Sequence, residues 1–386
     1  MRILDYYPIS NKRENGAMTH MLSIADAFGS LGHKVLLVTY RPYRKVTGRF
    51  RMVPMPARPF GTARYGIGRI CRKALLTALV RLWKPDCIYN RFSDGVAAEV
   101  AYRNGVARVC ENAHTPAGLK KLLSDSATRA EVLRPGGFVV VQPDTRSFLV
   151  SELGLQDETV VYLPSGFDPV AVGYARRSTC QSNAFVVGAI LGSVEYFDLE
   201  TFLAGFMLVR MRTDKIGLSI LCDSPRAELV LSKAREAGLP LSSLHLPGQV
   251  PYHKLGSYYC SVDLAVLPFR KFWLEKAGTG GCESTRFAEY LGAGLCTVAT
   301  DLPGTSTYAL AQEGLFVAVP PEDPDSLAEA LVELYRNPSK RERIAQAGQR
   351  YAFANRTWKR IAEQTVELME RVMHKPPDTK TAISIS

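Results

Sequence analysis

Between Asp26 and Asp86 the chain carries no aspartate or glutamate, while thirteen lysines and arginines fall there, from Lys34 to Lys84. That gap accounts for most of a formal charge of +11: residues 1–170 hold 24 basic against 14 acidic side chains, and residues 171–386 hold 24 against 23. One surface of the N-terminal half is therefore expected to be strongly basic and to favour anionic partners. Also missing is any run of about 18 uninterrupted apolar residues, so no membrane-spanning helix is expected. The start, MRILDYYPIS, enters a strand-like run without a charged leader and apolar core, so no signal peptide is expected either. Eight cysteines are scattered with no CxxC pair and no Cys/His cluster, which argues for reduced cytoplasmic thiols and against a metal site. The segment after the first strand, NKRENGAMTH, lacks GxGxxG, so a Rossmann dinucleotide fingerprint is excluded.

What is present is an alternation of strand and helix patterns, twice over. MRILDYYP, a helix through MLSIADAFGSLG and the apolar HKVLLVTY form a βαβ opening. PDCIYNRF, ARVCENAH, FVVVQPD and TVVYLPSGFD continue the strands of the first half. After the polar YARRSTCQSN the alternation resumes with AFVVGAIL, DLETFLAGFMLVR, IGLSILCD and PRAELVLSKAREAG. A chain of 386 residues with this pattern predicts an α/β protein of two Rossmann-like domains, each built on a parallel sheet. Ligands of such sheets bind beyond the carboxyl ends of the strands, where Glu111, Asn112 and His114 follow one of them. A histidine there is as readily structural as functional, and the same holds for His20 on the first helix, which is expected either to face a cleft or to have no role.

The stretch CESTRFAEYLGAGLCTVATD, residues 282–301, carries the most chemistry. Glu283, Ser284, Thr285 and Arg286 lead into a short helix, and Gly292 and Gly294 end it before a strand. A helix N-terminus gathers free N–H groups and partial positive charge, and Arg286 adds a full one, which suits a diphosphate. Glu289 lies about one turn further, where its carboxylate can accept hydrogen bonds from ribose hydroxyls. The same residues also read as a plain N-cap at Ser284 or Thr285 with Glu289 solvated.

The run from Arg286 to Ala299 resembles the donor-binding segment of GT-B glycosyltransferases, the group that includes many retaining bacterial cell-surface sugar transferases. The resemblance implies two Rossmann-like domains facing a central cleft and sugar transfer from a nucleotide-diphosphate sugar, without a metal or other cofactor. It implies that Glu289 holds the ribose, that Gly16 approaches the donor phosphates, and that the backbone around Gly248 and Val250 receives the base. The family's second glutamate, eight positions before Glu289, is replaced by Gly281, with Glu283 out of register. The basic pair expected after AFVVGAIL is missing from GSVEYFD, so Arg286, with Arg270 or Lys271, must supply that charge. If the enzyme inverts, Glu111 or His114 is implied as the base; if it retains, His114 is implied as a donor-sugar contact.

With the roles that the resemblance implies, the expected organisation is an acceptor-binding domain over 1–170, a linker over 171–183, a nucleotide-sugar domain over 184–355, a helix over 356–373 crossing back with Trp358 as its anchor, and a disordered tail over 374–386. The helical pattern in 61–84 mixes arginines and lysines with Ile67, Ile70, Leu75, Leu79 and Leu82. It suits either a helix packed on the sheet with a solvated basic face or one lying on an anionic membrane. The resemblance favours the membrane, because relatives act on lipid-linked or cell-envelope saccharide acceptors, and so implies polysaccharide biosynthesis at the cytoplasmic face. No nucleic-acid motif accompanies the basic stretch, so nucleic acid is not expected as a partner. A nucleotide-sugar epimerase of the same fold and a non-catalytic nucleotide-sugar-binding protein stay open as alternatives.

Overall fold

The computed structural model describes residues 1–8, 16–40, 48–56, 66–91, 95–112, 115–125, 129, 134, 136–173, 185–192, 195–277, 284–305 and 307–374. His114, Gly281, Glu283, most of the expected linker and all but the first residue of the expected tail lie outside them. The chain divides into two compact units: Met1–Pro164 with the residues from Trp358 onward, and Ser165–Thr357. The second compact unit thus begins at Ser165. The reason is packing, since Phe167 and Val172, both fully buried, belong to a core of the second unit.

The first unit is built on seven parallel strands: β1 Arg2–Tyr7, β2 Lys34–Tyr40, β3 Arg51–Met55, β4 Cys87–Arg91, β5 Ala107–Asn112, β6 Gly137–Val140 and β7 Val160–Tyr162, in the order β3-β2-β1-β4-β5-β6-β7. The central strands are almost wholly buried, as their continuous apolar runs require when helices cover both faces. On one face Ile3, Leu37, Tyr89 and Val109 pack against the helices Gly16–Ser30 and Trp358–His374. On the other, Leu4, Val38 and Ile88 meet the helices Ile67–Trp83 and Val96–Asn104. The last helix thus completes the first unit, with the indole of Trp358 edge-on to the His20 ring at 4.6 Å.

The second unit has six parallel strands: β8 Phe185–Ile190, β9 Ile216–Leu221, β10 Leu244–His245, β11 Leu264–Leu267, β12 Cys296–Thr300 and β13 Val317–Val319, in the order β10-β9-β8-β11-β12-β13. Five of its helices begin where a short polar side chain accepts from the backbone three residues on. Asp198 accepts from Thr201, Asp223 from Arg226, Ser284 from Phe287, Asp323 from Ser326 and Asn337 from Lys340. The Thr285–Gly292 helix connects β11 to β12, which run parallel, so its N-terminus stands at the carboxyl edge of the sheet. At its other end Gly292 lies against Phe167 so closely that an added Cβ would fall 2.3 Å from the ring, and Gly294 takes φ +71 to turn into β12.

Candidate functional site

In the second unit the helix-terminal residues come together around one carboxylate. Ser284 is the N-cap, its hydroxyl accepting from the Phe287 N–H at 3.2 Å, with Thr285 and Arg286 as the first helical residues. Glu289 is not solvated as a plain capping arrangement would have it; it is fully buried. Arg286 Nη1 donates to Glu289 Oε2 at 2.7 Å, and the Tyr259 hydroxyl donates to the same oxygen at 2.8 Å. A third of the Arg286 side chain remains exposed. The guanidinium therefore pairs with Glu289 at the helix start, where backbone N–H groups also point.

The other expected donor-side residues are more loosely placed. Gly248 takes φ +80, and an added Cβ there would meet nothing within 4 Å. Val250 packs, half-buried, on the core that contains Tyr259 and Tyr290. Arg270 donates to Glu200 at 2.7 Å and Lys271 faces Glu275 at 3.9 Å, so both cations already have acidic partners. Arg286, itself paired with Glu289, is the cation on the first turn of the Thr285–Gly292 helix. A separate cavity of about 350 Å³ opens beside Asp263, Gly294, Cys296 and Arg341, at the amino ends of β11 and β12 and so at the opposite edge of the sheet.

In the first unit the functional candidates collapse into a buried network that sequence reasoning only partly anticipated. Asp5 on β1 stands opposite Tyr89 on β4, and Arg91 on β4 opposite Glu111 on β5, all towards the carboxyl edge. Glu111 is 1 % exposed; its Oε2 is 2.6 Å from His20 Nε2 and accepts from the Tyr89 hydroxyl at 2.5 Å, and its Oε1 faces Arg91 at 3.7 Å. Arg91 also donates to the Tyr7 hydroxyl. Burial alone would raise the Glu111 carboxyl, but His20 and Arg91, with the hydrogen bonds of His20 and Tyr89, bring it down to about 2. A carboxyl held this low is a weaker base at neutral pH than an ordinary glutamate. His20 is likewise buried against Glu111 and Trp358 rather than facing outward.

Asp5 is fully buried, and neither carboxylate oxygen has a hydrogen-bond partner among the described residues. Burial first, and the charge of Glu111 second, push its carboxyl well above the usual range, so the folded protein favours its neutral form. Nothing in RILDYY distinguishes Asp5 from an ordinary strand residue. Tyr259 was missed for a different reason: it stands thirty residues from Glu289, and no spacing rule connects them. Gly16 is the first residue of its helix and exposed, next to residues outside the description.

Comparison with known proteins decides the family. Residues 14–170 match the model described as Glycosyltransferase Family 4, and residues 183–337 match Glycosyl transferases group 1, so the two models between them span both units. The chain belongs to the GT-B glycosyltransferases. No curated protein matches this glycosyltransferase. Among solved structures, it is similar to a glycosyltransferase from Rickettsia africae, at TM-score 0.73 and 12 % identity over 96 % of this chain and 98 % of that one. HepE from Anabaena, in complex with UDP and glucose, gives TM-score 0.67 and 15 % identity over 96 % and 100 %. The UDP-GlcNAc 2-epimerase from Neisseria meningitidis, bound to UDP-GlcNAc, gives TM-score 0.60 and 13 % identity over 96 % and 100 %. At such identities the likeness is one of fold.

Proposed function

We propose that this glycosyltransferase moves a hexosyl group from a nucleotide-diphosphate sugar, held by the second unit, to a lipid-linked or cell-envelope saccharide acceptor. The observation that carries the reading is the Arg286–Glu289 pair at the start of a helix on the carboxyl edge of the sheet. Glu289 accepts the ribose hydroxyls. Arg286 and the helix N-terminus stabilise the diphosphate as negative charge develops on it during cleavage of the glycosidic bond, a task that requires no metal. That HepE is held in complexes with UDP, with UDP and glucose, and with UDP-glucose supports the donor class. Glu283, Gly16, Gly248 and Val250 stay on the donor side of this reading, and His114 takes the catalytic or sugar-contacting place, with Glu111 as a buried positioning group or, in an inverting reaction, the alternative base.

A thermal-shift series with UDP, GDP, ADP, TDP and CMP tests the donor site. One nucleoside diphosphate is expected to raise the melting temperature of the wild-type protein, and the rise is expected to disappear in Glu289→Ala. A shift retained in that variant would remove Glu289 from the site. Incubating the nucleotide sugar without acceptor then separates transfer from epimerisation, since only an epimerase converts the sugar while leaving it on the nucleotide.

The acceptor side rests on the Ile67–Trp83 helix. Leu76 and Val80 face the core, whereas Ile67, Ile70 and Leu82 are 72 %, 68 % and 83 % exposed. Arg69 and Lys73 are drawn to Glu99 on the neighbouring helix, and Arg81 stays exposed beside Leu82. Among the described residues no helix is long and apolar enough to cross a membrane. An exposed apolar stripe with arginine beside it suits peripheral contact with an anionic lipid surface, at the cytoplasmic face, where a lipid-linked acceptor would be met. Co-sedimentation with vesicles rich in anionic lipid is expected, with neutral vesicles left behind and binding lost in the Ile67→Ser/Ile70→Ser variant. Equal recovery with both vesicle types, or none with either, would overturn the membrane contact.

A further inference from the structure

Glu289 has two oxygens in different situations. Oε2 takes both available donors, Tyr259 at 2.8 Å and Arg286 at 2.7 Å, while Oε1 is buried with no hydrogen-bond partner among the described residues. An unpartnered carboxylate oxygen inside a protein is unfavourable, and a water or a ligand hydroxyl would complete it. Tyr259 is itself held in place. Fully buried in the short helix Leu255–Cys260, its ring meets Tyr258 and Tyr290 edge-on, with centroids 6.0 and 5.9 Å away. The Tyr290 hydroxyl accepts from the Ile190 N–H at 2.9 Å, and the Tyr258 hydroxyl lies 2.9 Å from the carbonyls of Ala189 and Ser219. Three tyrosines thus tie the donor helix to the ends of β8 and β9. Burial, and next the charge of Glu289, hold the Tyr259 phenol protonated, so it can only donate to the carboxylate.

We propose that Tyr259 is a positioning residue for the donor: by sharing Oε2 with Arg286 it fixes the Glu289 carboxylate so that Oε1 is kept for the vicinal hydroxyls of the ribose. Without the phenol, Arg286 alone can bridge both oxygens and leave none oriented for the sugar. The inference rests on the donor-site reading above, and it concerns recognition of the ribose rather than of the base or diphosphate.

The test compares binding of UDP, GDP and ADP with that of their 2′,3′-dideoxy forms, by calorimetry, in wild-type protein and in Tyr259→Phe. Wild type is expected to favour the ribo form of its cognate nucleotide by about tenfold or more, as expected for hydroxyls received by a buried carboxylate. Tyr259→Phe is expected to weaken the ribo form about five- to tenfold and to leave the dideoxy form unchanged, so that the discrimination collapses. Equal weakening of both forms would mean that Tyr259 only supports the fold, and undiminished discrimination would mean that it does not orient Glu289; either result overturns the proposal. The wild-type arm tests the donor reading separately, because a nucleotide that binds without preference for its ribo form does not meet Glu289. Should Tyr259→Phe unfold, the Tyr259→Phe/Glu289→Gln variant, which has no buried carboxylate left to satisfy, is compared with Glu289→Gln. The two are expected to discriminate equally, and a further loss in the double variant overturns the assignment.

Discussion

Replacing Arg286 with alanine is expected to lower kcat for sugar transfer by about 10²–10³, the usual cost of removing one preorganised donor from a developing oxyanion. The expectation follows from the place of the side chain. The side chain stands at the start of the Thr285–Gly292 helix with a third of it exposed, paired with Glu289, whereas Arg270 and Lys271 face Glu200 and Glu275. The same substitution also removes one of the two donors to Glu289 Oε2, so part of the loss will be in donor affinity and will raise KM. Arg286→Lys separates the two effects. Lysine restores a positive charge near the leaving group but cannot hold a carboxylate and a phosphate at once with a rigid fork, so kcat should recover partly while KM stays high. Steady-state kinetics with the cognate nucleotide sugar, alongside a melting curve for each variant, is the measurement. An Arg286→Ala enzyme that is folded and transfers sugar at the wild-type rate would remove the arginine from the chemistry.

The sequence pattern carried the architecture because burial on both faces leaves a plain signature. VLLVTY, FVVGAI and CTVAT are apolar almost throughout, and all three became strands of parallel sheets. RMVPM escaped notice because β3 is an edge strand, short, charged at its start and interrupted by Pro54, which an edge tolerates. That Arg286 and Glu289 share one side of the helix was legible from their spacing, but that they pair with each other was not expected. What was not legible depends on tertiary neighbours. Whether Glu111 faces solvent or His20, whether Arg69 and Lys73 stay free or meet Glu99, and whether Tyr259 reaches Glu289 are all decided by elements distant in the chain. The basic stretch illustrates the difference: its charge could be counted from the sequence, but which of its arginines remain exposed could not.

Glu111→Gln is expected to destabilise the first unit by about 3 kcal/mol at pH 7, because it leaves Arg91 and His20 inside without the carboxylate that they share. The pH dependence follows from the sign of the shift. The Glu111 carboxyl lies near 2 in the folded protein against an ordinary 4.5, so folding favours its ionised form. Its contribution is full above pH 4.5 and is lost as the pH falls from there towards 2, so the gap between wild type and variant should close in acid. Asp5 acts in the opposite direction. Its raised carboxyl contributes fully below 3.8 and loses that contribution as the pH rises through its folded value; removing the Glu111 charge eases that loss in the variant and trims the gap at neutral pH. Urea unfolding of both proteins between pH 7 and pH 3 is the measurement, and a gap that stays constant over that range would mean that Glu111 is not held as a paired carboxylate. Activity separates position from chemistry in the same variant. Loss of a general base costs about 10²–10⁴ in rate, whereas loss of a buried positioning group should cost on the order of tenfold while the protein stays folded. A Glu111→Gln enzyme that melts normally yet transfers sugar 10³-fold more slowly, beyond what a ~10-fold positioning loss explains, would return Glu111 to the catalytic step, with a local opening needed to bring its carboxylate to the acceptor.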